Sequence, residues 1–138
     1  ITTFTDRCHH GKEENLLFPA MVEAGIPKEG GPVGVMLSEH EEGRYYVQEV
    51  SRALDRYRND PKASTSVMEP LRLYISHLAQ HIHKENRILF PMADHYLSEE
   101  KQTELLIEFD EMEEQVIGKG KHEEFHAMLD QLSKVYLK

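Results

Sequence analysis

The stretch His9-His10-Gly11-Lys12-Glu13-Glu14-Asn15-Leu16-Leu17-Phe18-Pro19 recurs downstream as His81-Ile82-His83-Lys84-Glu85-Asn86-Arg87-Ile88-Leu89-Phe90-Pro91. Histidine, lysine, glutamate, leucine, phenylalanine and proline occupy matching positions, and Leu16 faces Ile88 as a near match. On an α-helix, residues four apart share a face, with Cβ atoms roughly 6 Å from one another. His9 with Glu13, and His81 with Glu85, can therefore each offer an imidazole and a carboxylate to one ion. A solvated surface pair explains a single HxxxE. Two copies carrying the same apolar tail point to a metal centre.

Upstream of the first copy, Ile1, Phe4 and Cys8 already keep a helical rhythm with no strong cap, so the chain opens as if inside a helix and another is expected before it. The first helix is expected to run to about Glu23 and to end in a loop at residues 24–32, which holds three glycines and two prolines. A second helix is expected from about Val33 to Tyr57, broken by Asn59-Asp60-Pro61. A third starts near Val67, with Pro70 allowed in its first turn, and reaches about Leu97. Ser98 then caps a fourth, placing Glu99 and Glu100 at the positive end of its dipole. Gly118 and Gly120 interrupt, and a last amphipathic helix carries Phe125, Met128, Leu129, Leu132, Val135 and Tyr136. With no strand signal, the reading is an all-α, up-and-down bundle with an additional C-terminal helix. Pro19 and Pro91 either kink their helices or mark the last turn. Both stand equally far from the repeated glutamates, so the two halves should be shaped alike there.

The 138 residues suit one domain. The net charge of −9, with acids concentrated from Glu99 to Glu124, excludes the basic face that nucleic acid demands. No stretch approaches the roughly 18 uncharged apolar residues of a membrane span. The single cysteine, Cys8, allows no internal disulfide and reads as a small core residue. The expected compartment is the cytoplasm.

Imidazole with carboxylate suits iron, zinc or manganese, and the lack of thiolates argues against a zinc knuckle or an iron–sulfur cluster. Two pairs on facing helices could supply both carboxylate bridges of a dinuclear site. His40, alone on the second helix beside Met36 and Leu37, is the best further imidazole. Unpartnered buried polar groups cost roughly 1–3 kcal/mol each. Five of them would approach the roughly 5–15 kcal/mol stability of a domain, so if they point inward they need a metal or a dense hydrogen-bond network. His10 and Glu14 are also four apart, but Ile82 and Asn86 stand at the matching positions. His10 and His83 are therefore assigned to solvent or to places behind the ligands. His77, one turn before His81, and His122, paired with His126, are weaker ligand candidates, and His95 is read as a favourable charge at a helix end.

These segments resemble the hemerythrin-like, HHE cation-binding family, whose helical bundles hold a non-haem di-iron centre. The resemblance covers nearly the whole chain, with its core in the two HxxxE…LFP segments and Ser38-Glu39-His40-Glu41-Glu42. It implies His9, Glu13, His40, His81 and Glu85 as iron ligands, with Glu13 and Glu85 bridging two ions. The family takes one more histidine from a helix preceding the first copy, so residues 1–138 are expected to form a single hemerythrin-like four-helix bundle lacking its first helix. His77 or His122 would then be the residues to compensate. The Glu-x-x-His signature of ferritin-like proteins occurs once here, at Glu123 to His126, and ranks well below.

The resemblance implies binding or sensing of oxygen or another small diatomic, or iron handling. Leu17, Phe18, Leu89, Phe90 and Met36 are the expected walls of an apolar pocket around the centre. A di-iron enzyme consuming peroxide or nitric oxide, and a metal-free helical interaction module, are the alternatives.

Overall fold

Proline has no amide hydrogen to give the carbonyl four residues back, and its ring crowds that carbonyl. The computed structural model, which describes residues 1–60, 62 and 65–137, meets this conflict identically at Pro19 and Pro91. Phe18 N–H reaches back five residues to the Glu13 carbonyl, and Phe90 N–H to the Glu85 carbonyl. The result is one wide turn over Glu13–Leu17 and another over Glu85–Leu89. The chain stays helical past both prolines. Each therefore marks a local widening, a device frequent at functional sites, and the two halves are shaped alike as the repeat suggests.

The first of these turns lies in α1, residues 2–23, which also opens in wide turns over Thr2–His10. Its end is fixed by Gly25 at φ 97°, where Gly25 N–H donates to the Val22 carbonyl and Ile26 N–H to that of Met21. This is the left-handed glycine closure in which the next residue, Ile26, packs back onto the core. α2 spans Pro32–Asn59, its proline placed where a missing N–H costs nothing. Pro61, read above as part of the break after α2, lies outside the described residues. α3, residues 65–96, starts two residues earlier than expected, so Pro70 stands inside the helix and not in its first turn. α4 is Glu99–Val116, with Ser98 Oγ accepting from the Lys101 amide at 3.2 Å. α5 is Lys121–Tyr136.

The protein is an all-α bundle, with no strand among the described residues. α2 packs along α3, while α1 lies against α2 and α4. Leu17, Phe18, Met21, Ile26, Val33, Met36, Leu89, Leu97 and Leu105 form the core. Leu17, Phe18 and Leu89 follow directly on the repeated glutamates, so the core ends where those carboxylates begin. α5 buries none of its residues, and the apolar Met128, Leu129, Leu132 and Val135 stay exposed. It touches α1 through the rings of Phe4 and Phe125, 5.4 Å apart. No described helix is long and apolar enough to cross a membrane.

Candidate metal centre

α1, α2 and α3 each turn ionisable side chains into the same buried point. Glu13, His40, His81 and Glu85 are all nearly inaccessible, and one donor atom from each lies within 4.8 Å of the others. Glu13 Oε2 stands 3.2 Å from His40 Nε2, and Glu85 Oε1 stands 2.9 Å from His81 Nε2. His9 approaches from the flank, its Nε2 3.6 Å from Glu85 Oε1 and 3.9 Å from Glu13 Oε2, with its side chain 44% exposed. Four of the five residues singled out by spacing thus meet in one cluster, and the fifth lies at its open edge.

Behind the donors stand residues to which sequence reasoning assigned no role. His40 Nδ1 lies 2.7 Å from Glu14 Oε1, and His81 Nδ1 lies 3.0 Å from Glu39 Oε2. Each N–H donates to a carboxylate, which sets the tautomer and frees Nε2 toward the cluster. Arg44 grips Glu14 and Asp6, both at 2.7 Å, and Lys84 holds Glu39. Glu39 was visible only as the neighbour of His40, and Glu14 only as the unshared register of the repeat.

Of the two places expected for His10, toward solvent or behind the ligands, the structure excludes the first. His10 is buried against the cluster, its ring stacked on His40 at 3.9 Å and 10° between planes. The reason lies in the wide turns of Thr2–His10: a turn holding more residues separates neighbours by less than the 100° of an α-helix, so His9 and His10 both reach inward. The weaker candidates sit elsewhere. His77 Nε2 bonds to the Glu39 carbonyl oxygen at 2.8 Å, its ring centre 6.3 Å from that of His81. His122 is on α5, with Nδ1 2.8 Å from Glu113 Oε1 and Nε2 paired with His126. Cys8 is buried as expected, and burial pushes its thiol up.

Charge in the cluster is finely opposed. Burial would raise the Glu85 carboxyl, but the imidazoles of His81 and His9 beside it hold it well below the usual carboxylate range. For His81, burial works to lower the imidazole, while Glu85 and Glu39 outweigh it and push it up. Glu85 likewise raises His9. For His10 the opposing pull of Asp6 is the smallest contribution: burial, then the nearby His40, His9 and His81, push it down to about 3, so it is a neutral base at physiological pH.

Among the described residues, His10 Nδ1 and Nε2, Glu13 Oε1 and Oε2, His40 Nε2, His81 Nε2 and Glu85 Oε1 are buried without a hydrogen-bond partner. Folded chains leave few such atoms, and these sit together; His122 Nδ1, on α5, is a further such atom outside the cluster. Imidazole nitrogens with carboxylate oxygens are the donor set of iron, manganese and zinc. The residues present therefore fit a metal.

The model of the hemerythrin HHE cation-binding domain matches residues 2–93. Iron-sulfur cluster repair proteins YtfE of Salmonella paratyphi B, Salmonella newport and Salmonella heidelberg are each 35% identical over 89 residues, which is 62% of this chain and 40% of theirs. The chain thus spans about 40% of the length of these curated relatives. No solved structure gives a significant match.

Proposed function

We propose that this chain, which belongs to the hemerythrin HHE cation-binding domain family, holds a pair of non-haem iron ions and serves iron handling. Glu13, His40, His81 and Glu85 would hold the ions, and His9 would add an imidazole from the exposed flank. The observation that carries the reading is the set of buried donor atoms that face one another without forming hydrogen bonds of good geometry. Such atoms cost roughly 1–3 kcal/mol each when left unpaired, so their concentration at one point makes sense as a site built for cations. The relatives' name, iron-sulfur cluster repair, supports iron over zinc or manganese and the handling of iron over other uses.

Iron bound there would supply a Lewis-acidic, redox-active position. The chain's own residues prepare that position. Glu14 and Glu39 keep the Nδ1 protons of His40 and His81, so both Nε2 lone pairs stay available. Leu17, Phe18, Leu89 and Met36 close the inner side against water. Glu85, kept ionised by its histidine neighbours, supplies negative charge at any physiological pH.

Anaerobic loading with Fe(II), followed by elemental analysis, tests the reading. Two irons per chain are expected, with loss in folded Glu13→Gln and Glu85→Gln variants. No iron at any loading, together with a thermal midpoint indifferent to chelator, would refute it and favour a metal-free helical module. One observation favours a second reading, the binding or sensing of oxygen or another small diatomic. A cavity of about 280 Å³ opens between α1, α2 and α3, and His10 is among the residues that line it. An iron-dependent visible band that changes on admitting oxygen would support that use, and turnover of peroxide or nitric oxide would turn it into an enzyme.

A further inference from the structure

We infer that His10, outside the shared HxxxE register, supplies a ring nitrogen to a second ion of this centre, one that His40 does not hold. The inference rests on the metal-centre reading above and adds a donor to it. Only 6% of His10 is exposed, and neither ring nitrogen has a hydrogen-bond partner. If His10 served only to cover His40, a phenylalanine would do so without burying two unpaired polar atoms.

The buried donors form two overlapping groups. One is Glu13, His40, His81 and Glu85; the other is His10, His40 and His81, and in each the donor atoms lie within 4.8 Å of one another. They share two histidines, and of the second group the proposed ion would take His10 and His81 but not His40, for a reason of ring geometry. The stacking of His10 on His40 then separates two positions. An imidazole lone pair lies in the plane of its ring, so parallel rings 3.9 Å apart cannot both meet one ion in plane. They address two different points, and paired catalytic ions sit ≈ 3.5–4 Å from each other.

The surroundings of His10 resemble, more loosely, those of the other two buried histidines. Asp6 Oδ1 faces His10 Nδ1 from 3.6 Å, beyond hydrogen-bond reach, on the side where Glu14 bonds His40 and Glu39 bonds His81. Arg44 binds Asp6 and Glu14 together, at 2.7 Å each, so the carboxylates behind the two stacked rings are held by one guanidinium. A carboxylate on one ring nitrogen, leaving the other for the ion, is the usual support of a ligating histidine. With Asp6 on the Nδ1 side, Nε2 is the nitrogen left for the ion.

Cobalt(II) binding to the 138-residue chain, measured by equilibrium dialysis with metal analysis, tests the inference. Two ions per chain are expected for the native protein and one for His10→Phe, whose flat ring preserves the stack on His40. Two ions retained by a folded His10→Phe overturn the inference and leave the metal centre standing, as does a single ion in both proteins. No ion in the native protein overturns the metal centre and the inference together. Should His10→Phe fail to fold, nuclear magnetic resonance of the cobalt-loaded native protein, with ring-labelled histidines assigned through the backbone, decides. A His10 ring carrying a through-bond contact shift supports direct ligation; a His10 ring displaced only through space overturns it.

Discussion

Replacing Glu13 by methionine should strengthen the metal-free fold while abolishing its response to metal. Both carboxylate oxygens of Glu13 are buried without a hydrogen-bond partner, and only 5% of the side chain is exposed. Methionine has nearly the same length, so little cavity forms, and the desolvation penalty of roughly 1–3 kcal/mol is relieved. The opposing term is attraction to His40 Nε2 at 3.2 Å. That contact lacks hydrogen-bond geometry, so it offsets only part of the gain. His9, farther away and 44% exposed, is screened and adds little. For a domain of this size about 1 kcal/mol moves the thermal midpoint by about 3–5 °C, so metal-free Glu13→Met should melt about 3–15 °C above the native protein. Metal at about 100 times its Kd adds about 2.7 kcal/mol to the native protein, or about 8–14 °C, and nothing to the variant. Melting curves in chelator and in Fe(II) or Co(II) read both effects. A metal-free variant destabilised by more than about 1 kcal/mol, or one keeping the full metal shift, would refute the claim that Glu13 is held there for a cation.

The ion pair of Lys12 with Glu113, 2.5 Å long, ties α1 to α4 and holds the Glu113 carboxyl below its ordinary value. Because the folded state binds that proton less readily than the unfolded one, the stabilisation is complete above about pH 4.5 and is lost as pH falls through the depressed value. Urea midpoints should therefore show the native protein ahead of Glu113→Gln by under about 1 kcal/mol at pH 7 and level with it once the pH is below the depressed value. Arg44→Met leaves Asp6 and Glu14 without their shared cation, and cobalt competition titration should show affinity reduced by about 10–100-fold. Pro91→Ala restores an amide hydrogen for the Arg87 carbonyl, which lets the wide turn at Glu85–Leu89 relax. The metal-free midpoint should rise by a few degrees while cobalt affinity falls, and an unchanged affinity would show that the turn does not aim Glu85.

The parts of this site legible in the sequence are those governed by a local rule. Spacing of four puts His81 over Glu85 whatever the rest of the chain does, and His40 stands out because an imidazole interrupts an apolar face. Glu14 and Glu39 escape such rules, since their histidine partners lie 26 and 42 residues away and meet them only when α2 packs against α1 and α3. The loss of α-helical spacing in α1 is harder still to foresee. Aligning the two copies matches His10 with Ile82, and hydrophobicity alone would bury the isoleucine and expose the histidine. The structure does the reverse: Ile82 is 43% exposed and His10 is 6% exposed. α3 keeps ordinary helical turns up to Lys84, so its position 82 points outward, whereas the wide turns of Thr2–His10 swing position 10 inward. A helix that presents a polar ring to the interior at the place where its twin presents an aliphatic side chain to water gains nothing from the hydrophobic effect. Some other interaction must compensate the buried imidazole, and the nearest groups able to share one with it are the donors of His40 and His81.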